Sequence, residues 1–323
     1  MTTPQSRRGF LQGSALAAAG LTVNGLSAGR SQEPERPAHA GFWPALVCGA
    51  IGVRADQRQA LEFAVKYGFR AVDPQVGYLQ GLADEELAEL RGEMEAKGVV
   101  WSAAGLPVDF RGETDAFTRS LRTLPSFAAA LRRAGVDRVG TWISPTHKTQ
   151  TYRANFRLHA VRLRAVADIL DDFGVRLSLE YVGPKTSWSA GRFPFIHTLA
   201  ELKELVAEIG HPCVGYTLDS WHWYTAGESA KDIKTIRGGD VLMVHLNDAP
   251  ADVPVDRQID NVRDLPTATG VIDLKTFLGT LAEIGFEGPV YVEPFQRSLA
   301  ELEPDEAVRR TAEALRRALA LVP

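Results

Sequence analysis

Four apolar runs in the second half of the chain each end on a residue able to bind a metal or move a proton. They are "RLSLE" ending at Glu180, "GYTLD" at Asp219, "LMVH" at His245 and "VYVE" at Glu293. A lone Asp at a strand end ordinarily caps the next helix, and a lone His ordinarily hydrogen-bonds within a core. Four such residues on successive strands ask for a joint explanation. Three carboxylates held together would repel, and each would be driven toward its neutral form. A divalent cation removes that penalty, and a mixed oxygen and nitrogen donor set suits Mn²⁺, Mg²⁺, Co²⁺ or Zn²⁺. The sequence therefore predicts one metal held by Glu180, Asp219, His245 and Glu293. Glu180 and Glu293, approaching from opposite faces, would also exchange the proton of a substrate carbon.

For these residues to meet, successive strand ends must converge. From about residue 45 short apolar runs alternate with amphipathic helices, from "ALVCGAI" and "DQRQALEFAVKYGF" to "PVYVEPF" and "DEAVRRTAEALRRALALV". Gly68, Gly98, Gly135, Gly174, Gly210, Gly239 and Gly288 punctuate the ends of helices before strands. Counted this way, eight strands are each followed by a helix, which predicts an α/β fold, a single (β/α)8 TIM barrel, with its site at the C-terminal strand ends. An open doubly wound sheet would want a Gly-rich phosphate loop after the first strand, and "CGAIGVRADQ" is not one. The longest insertion, "APADVPVDRQIDNVRDLPTAT" at 249–269, is expected to cover one mouth of the barrel.

"LDSWHW", with His222 three residues after Asp219, and "GVIDLKTFLGTLAEIGFEGPVYVE" carry a resemblance to the xylose isomerase-like barrel superfamily of sugar phosphate isomerases and epimerases. The likeness implies one metal, Mn²⁺ foremost, on Glu180, Asp219, His245 and Glu293, with His222 contacting a small carbohydrate. The sequence departs from the family's pattern in two places. The arginine found six residues after the metal His is replaced by Ala251, leaving Arg257 or Arg263 to substitute, and the Gly-x-Gly before Ile-Asp is reduced to "ATG" at Ala268. Trp188 and Lys185, in "GPKTSW", and His147, after the fourth strand, are further candidates for the substrate pocket. Asp248 is expected to orient a ligand from behind, and His159, His197 and His211 to be structural.

The implied activity is isomerisation or epimerisation of a keto-sugar or keto-glycoside through an enediolate. Dehydration of a keto-polyol shares the first step, and a barrel that binds sugar without turning it over is a third reading. An apurinic-site endonuclease would need further His ligands on early strands, whereas the second and third strands end near Asp73 and Ser102. A net charge of −4 also disfavours nucleic acid. Cys48 and Cys213 are read as two unpaired buried thiols.

Residues 1–40 read as a separate leader and linker, and 41–323 as the barrel. "SRRGFLQ" places Arg7 and Arg8 before Phe10 and Leu11, and an Ala- and Gly-rich run free of charge follows until Arg30. That pattern resembles a twin-arginine signal, which moves folded proteins across the bacterial inner membrane. It implies the twin-arginine translocase as a transient partner and a periplasmic destination, with no stable membrane span after cleavage. A homo-oligomer is compatible with the sequence.

Overall fold

The computed structural model describes residues 41–322; the expected export signal lies outside the described residues. The barrel strands are β1 (Phe42–Leu46), β2 (Ala71–Val72), β3, β4 (Arg138–Trp142), β5 (Arg176–Glu180), β6 (Val214–Asp219), β7 (Val241–Leu246) and β8 (Gly288–Val292). β3 is broken into Val100–Trp101 and Ala104–Gly105. Its first half pairs with β2 and its second with β4, so the break is where the parallel sheet closes on itself. β1 pairs with both β2 and β8, and β5, β6, β7 and β8 follow one another as neighbours.

The apolar runs locate these strands because a parallel strand inside a ring of helices is buried on both faces. β6 and β7 are buried at every position. The first strand begins earlier than "ALVCGAI" indicates, and Cys48–Ile51 turns instead as a short 3-10 helix ending at Gly52. The helix read from "PSFAAALRRAG" also begins earlier, running Thr114–Ala134 through Pro125. A mid-helix proline costs about 3 kcal/mol. The stripe of Phe117, Leu121, Leu124, Ala128 and Leu131 continues across it, however, and packs on the core. Before β8, Gly285 takes the left-handed conformation that ends the helix, while Gly288 opens the strand itself. Cys48 and Cys213 are free and buried.

Inside the barrel, Ala45, Ala71, Met243 and Tyr291 form their own cluster. A side chain at Gly140 would meet Met243, so small residues on β1, β2 and β4 make the room that Met243 and Tyr291 fill. Thr217 Oγ1 donates to Ser178 Oγ at 2.8 Å in this interior. Because side chains alternate along a strand, residues two positions further on point into the same interior at the C-terminal end. For β5, β6, β7 and β8 those residues are Glu180, Asp219, His245 and Glu293.

Candidate metal centre at the strand ends

His245 lies at the middle of the four. Its Nδ1 is 3.0 Å from Glu180 Oε1, 3.6 Å from Glu293 Oε2 and 3.7 Å from Asp219 Oδ2. Glu180, Asp219 and His245 are all buried. They offer ligand atoms within 4.8 Å of one another. Among the described residues, Glu180 Oε1 and both ring nitrogens of His245 are buried without a well-aligned hydrogen bond, although Nδ1 and Glu180 Oε1 lie 3.0 Å apart. Buried polar atoms left without well-aligned hydrogen bonds are costly, and here they belong to good metal donors gathered at the strand ends. The donor set fits a divalent metal ion.

The groups around the donors fix their orientation. Asp219 Oδ1 accepts the Trp221 N–H at 2.7 Å and Asn247 Nδ2–H at 3.1 Å. Asn247 Oδ1 in turn accepts the Glu293 N–H at 3.0 Å, tying the ends of β6 and β8 together. Arg263 Nη1 donates to Asp219 Oδ2 at 2.8 Å and lies 3.5 Å from Glu293 Oε2. Its other nitrogen, Nη2, donates to Asp260 Oδ1 at 2.7 Å. The guanidinium also lies over the rings of Trp221 and Phe295, at 5.5 and 4.9 Å. Such surrounding groups set ligand direction and basicity as firmly as the ligands themselves.

The electrostatics follow from this packing. Burial opposes ionisation of Asp219, but the Arg263 guanidinium, aided by His245 and His222, outweighs it and holds the carboxyl well below the usual range. Burial, reinforced by Glu180 and Asp219, pushes the Glu293 carboxyl up to about 7 against the attraction of His245 and Arg263. Burial would drive the His245 proton off. Glu180, Asp219 and Glu293 reverse that and hold it well above the ordinary histidine range.

The other sequence candidates divide. His222 is buried in the short helix after Asp219, its Nδ1 accepting the Gly183 N–H at 3.3 Å and its Nε2 lying 3.4 Å from Arg263 Nη2. Burial lowers its pKa, against the pull of Asp219. Arg257 is exposed in a short turn; the insertion brings Arg263 to the carboxylates instead, because Asp219 and Asp260 compensate its charge there. Lys185 is exposed at the rim, 3.9 Å from Asp256. Trp188 stacks on His197 at 4.9 Å, and His147 Nδ1 accepts the N–H groups of Thr149 and Gln150, so neither ring is brought to the carboxylates by these contacts. Asp248 acts behind the centre, but on backbone: it accepts N–H groups of Ala249, Thr269, Gly270 and Ile272.

Sequence reasoning passed over Asn247, Asp260 and Trp142. Trp142 pairs in register with Glu180 and is 48% exposed at the barrel mouth. A second cluster of metal-type residues, Asp171, His211 and Cys213, lies before β6. There His211 Nδ1 accepts the Cys213 N–H at 3.2 Å and Nε2 faces Asp168 at 3.6 Å, so hydrogen bonding and ion pairing already engage both ring nitrogens.

A family model described as "Xylose isomerase-like TIM barrel" matches residues 61–318, and the chain belongs to this family. An inosose isomerase of Bacillus velezensis is 26% identical over 263 residues, which are 79% of this chain and 89% of that protein. An inosose isomerase of Bacillus licheniformis is 30% identical over 47% of this chain, spanning only about half (51%) of that relative's length. Among solved structures, a xylose isomerase domain protein from Alicyclobacillus acidocaldarius is similar with a TM-score of 0.75 and 31% identity, covering 87% of this chain and 99% of the other. A second, the IOLI protein with a binding zinc atom, has a TM-score of 0.73 at 21% identity, covering 86% and 98%.

Proposed function

We propose that this protein is a divalent-metal-dependent isomerase or epimerase of a keto-sugar or related keto-polyol. The observation that carries the reading is the set of buried donors, with His245 Nδ1 at 3.0 to 3.7 Å from carboxylate oxygens of Glu180, Glu293 and Asp219 and no well-aligned hydrogen bond on Glu180 Oε1 or on the ring. The similarity to inosose isomerases supports it. Glu180, Asp219, His245 and Glu293 would hold the ion, with Mn²⁺ first and Mg²⁺, Co²⁺ or Zn²⁺ as alternatives. Bound there, it supplies a Lewis acid that polarises a carbonyl oxygen and acidifies the neighbouring C–H.

The chain's own groups would carry the proton. One of Glu180 and Glu293 removes it from the hydroxyl-bearing carbon next to the carbonyl, leaving an enediolate. The other returns a proton to the opposite face of that carbon or to the adjacent carbon. His222 would contact a substrate oxygen. Arg263, one of the two arginines left open by the sequence, holds the carboxylates of Asp219 and Glu293 in place. The leader would direct the folded barrel to the periplasm through Arg7 and Arg8.

The test is carbon-bound hydrogen exchange. In D₂O, metal-loaded protein should wash deuterium into an inosose or a ketohexose beside the carbonyl, with product isomers resolved by chromatography. Absence of exchange across such a panel at full metal occupancy would overturn the reading.

A further inference from the structure

Between the segments that follow β1 and β2 lies an open cleft of about 590 Å³ whose lining includes Arg54, Asp56, Gln59, Asp73 and Gln75. The strand register connects it to the centre. Ala71 and Tyr291 share the interior cluster, with β1 paired between their strands. Asp73 lies two residues beyond Ala71, and Glu293 two beyond Tyr291. Alternation along the strands therefore sends both carboxylates toward the same end of the interior, with β1 alone between them.

Most of the polar groups in the lining are already engaged. Asp56 caps the helix Gln57–Tyr67 by accepting the Gln59 N–H, and Gln59 Oε1 accepts the Asp56 N–H in return. Gln75 Nε2 donates to the Ala55 carbonyl at 2.9 Å, and Gln57 Nε2 to the Asp73 carbonyl at 3.1 Å. Those bonds make a fixed wall. The exception is Asp73 Oδ1, which is buried with no hydrogen-bond partner among the described residues. Burial pushes that carboxyl up to about 6. A buried carboxylate oxygen of this kind is satisfied by a donor, and a hydroxyl fits where a cation would not be needed. Two carboxylates against one exposed arginine also make the cleft a poor match for a phosphate, and the helix N-terminus in its lining is already capped by the Asp56 carboxylate.

We infer that the cleft takes the hydroxyl-bearing remainder of an unphosphorylated polyol, with Asp73 accepting a hydrogen bond from a hydroxyl remote from the reacting carbons. The inference rests on the isomerase reading of the metal centre and assigns its substrate class.

The experiment compares wild type with Asp73→Asn, and with Asp73→Ser as a second variant, each checked for metal content and thermal unfolding. The probes are an inosose, D-fructose, D-fructose 6-phosphate and dihydroxyacetone, which has the reacting carbons but no remainder. For the inosose or D-fructose, Asp73→Asn should raise KM about tenfold while kcat changes less than about threefold. Deuterium exchange into dihydroxyacetone should be unaffected, which a general loss of structure would not allow. Calorimetric binding of the same polyols should weaken in parallel. An unchanged KM and affinity in both variants, or a wild-type preference for the phosphorylated sugar, overturns the cleft assignment. Absence of exchange with every probe in wild type overturns the isomerase reading instead, and the calorimetric comparison still decides the cleft.

Discussion

Arg263 and Asp219 are 44 residues apart in sequence and joined at 2.8 Å, both buried, at the edge of the metal centre. The pair gives the site a resident positive charge beside three carboxylates. Removing one member of a buried pair typically costs 3–5 kcal/mol, because its partner is left charged and unsolvated. Arg263→Ala should therefore lose roughly that much stability, read by denaturant unfolding after chelation. Added metal should restore part of the loss by compensating Asp219. Arg257→Ala, on the exposed turn, should unfold within about 0.5 kcal/mol of wild type.

Metal binding should depend on pH with a defined sign. His245 is held protonated by Glu180, Asp219 and Glu293, although burial opposes it. Coordination needs the neutral ring, so binding must release that proton. Affinity should rise with pH by up to about tenfold per unit for each ligand proton released, more steeply below about pH 7 where Glu293 is also protonated, and level off once His245 is neutral in the metal-free protein. Calorimetry in buffers of different ionisation enthalpy measures the released proton. A flat profile from pH 6 to 8 with no proton release would contradict the assignment.

Asp219→Ala and His245→Ala should lose metal and turnover together, since few ligands share the ion. His222→Ala should keep most of its metal, as its ring faces Gly183 and Arg263. Elemental analysis alongside activity separates these outcomes.

Glu293→Gln preserves size and an oxygen donor but removes the base. It should retain much of its metal and lose turnover by roughly 10²-fold or more. Wild-type turnover in the metal-loaded variant would place the proton transfer on another group.

Replacing Arg7 and Arg8 with Lys should leave the protein in the cytoplasm if the leader is read by the twin-arginine route. Cell fractionation with an intact-barrel control checks this, and undiminished periplasmic delivery would refute it.

The four strand-end residues were legible because the barrel imposes a simple rule: an apolar run buried on both faces stops where the interior opens. Glu180, Asp219, His245 and Glu293 each follow such a run. No comparable rule marks Arg263. It lies in an irregular insertion, and its inward path is set by Asp219 and Asp260, which act only once the fold exists. Arg257, closer in sequence to the metal His, had an equal claim from spacing. Trp188 and His147 were sound candidates by residue type, yet local partners, His197 for the first and the Thr149 and Gln150 amides for the second, engage them. The start of the helix at Thr114 was hidden by Pro125, where tertiary packing outweighs a local penalty.

Asp248 accepts backbone N–H groups on both sides of the insertion, from Ala249 at its start and from Thr269, Gly270 and Ile272 at its end. The two ends are thus cinched at one carboxylate, and the chain between them is tied back to the barrel through Arg263 on Asp219 and on the Glu293 carbonyl. Loop-closure entropy grows slowly, by about 0.6 kcal/mol per doubling of length. Descendants of this fold are then free to lengthen or shorten the insertion on either side of Arg263, whereas exchange of that cation must be matched at Asp219, which would otherwise be left charged and unsolvated.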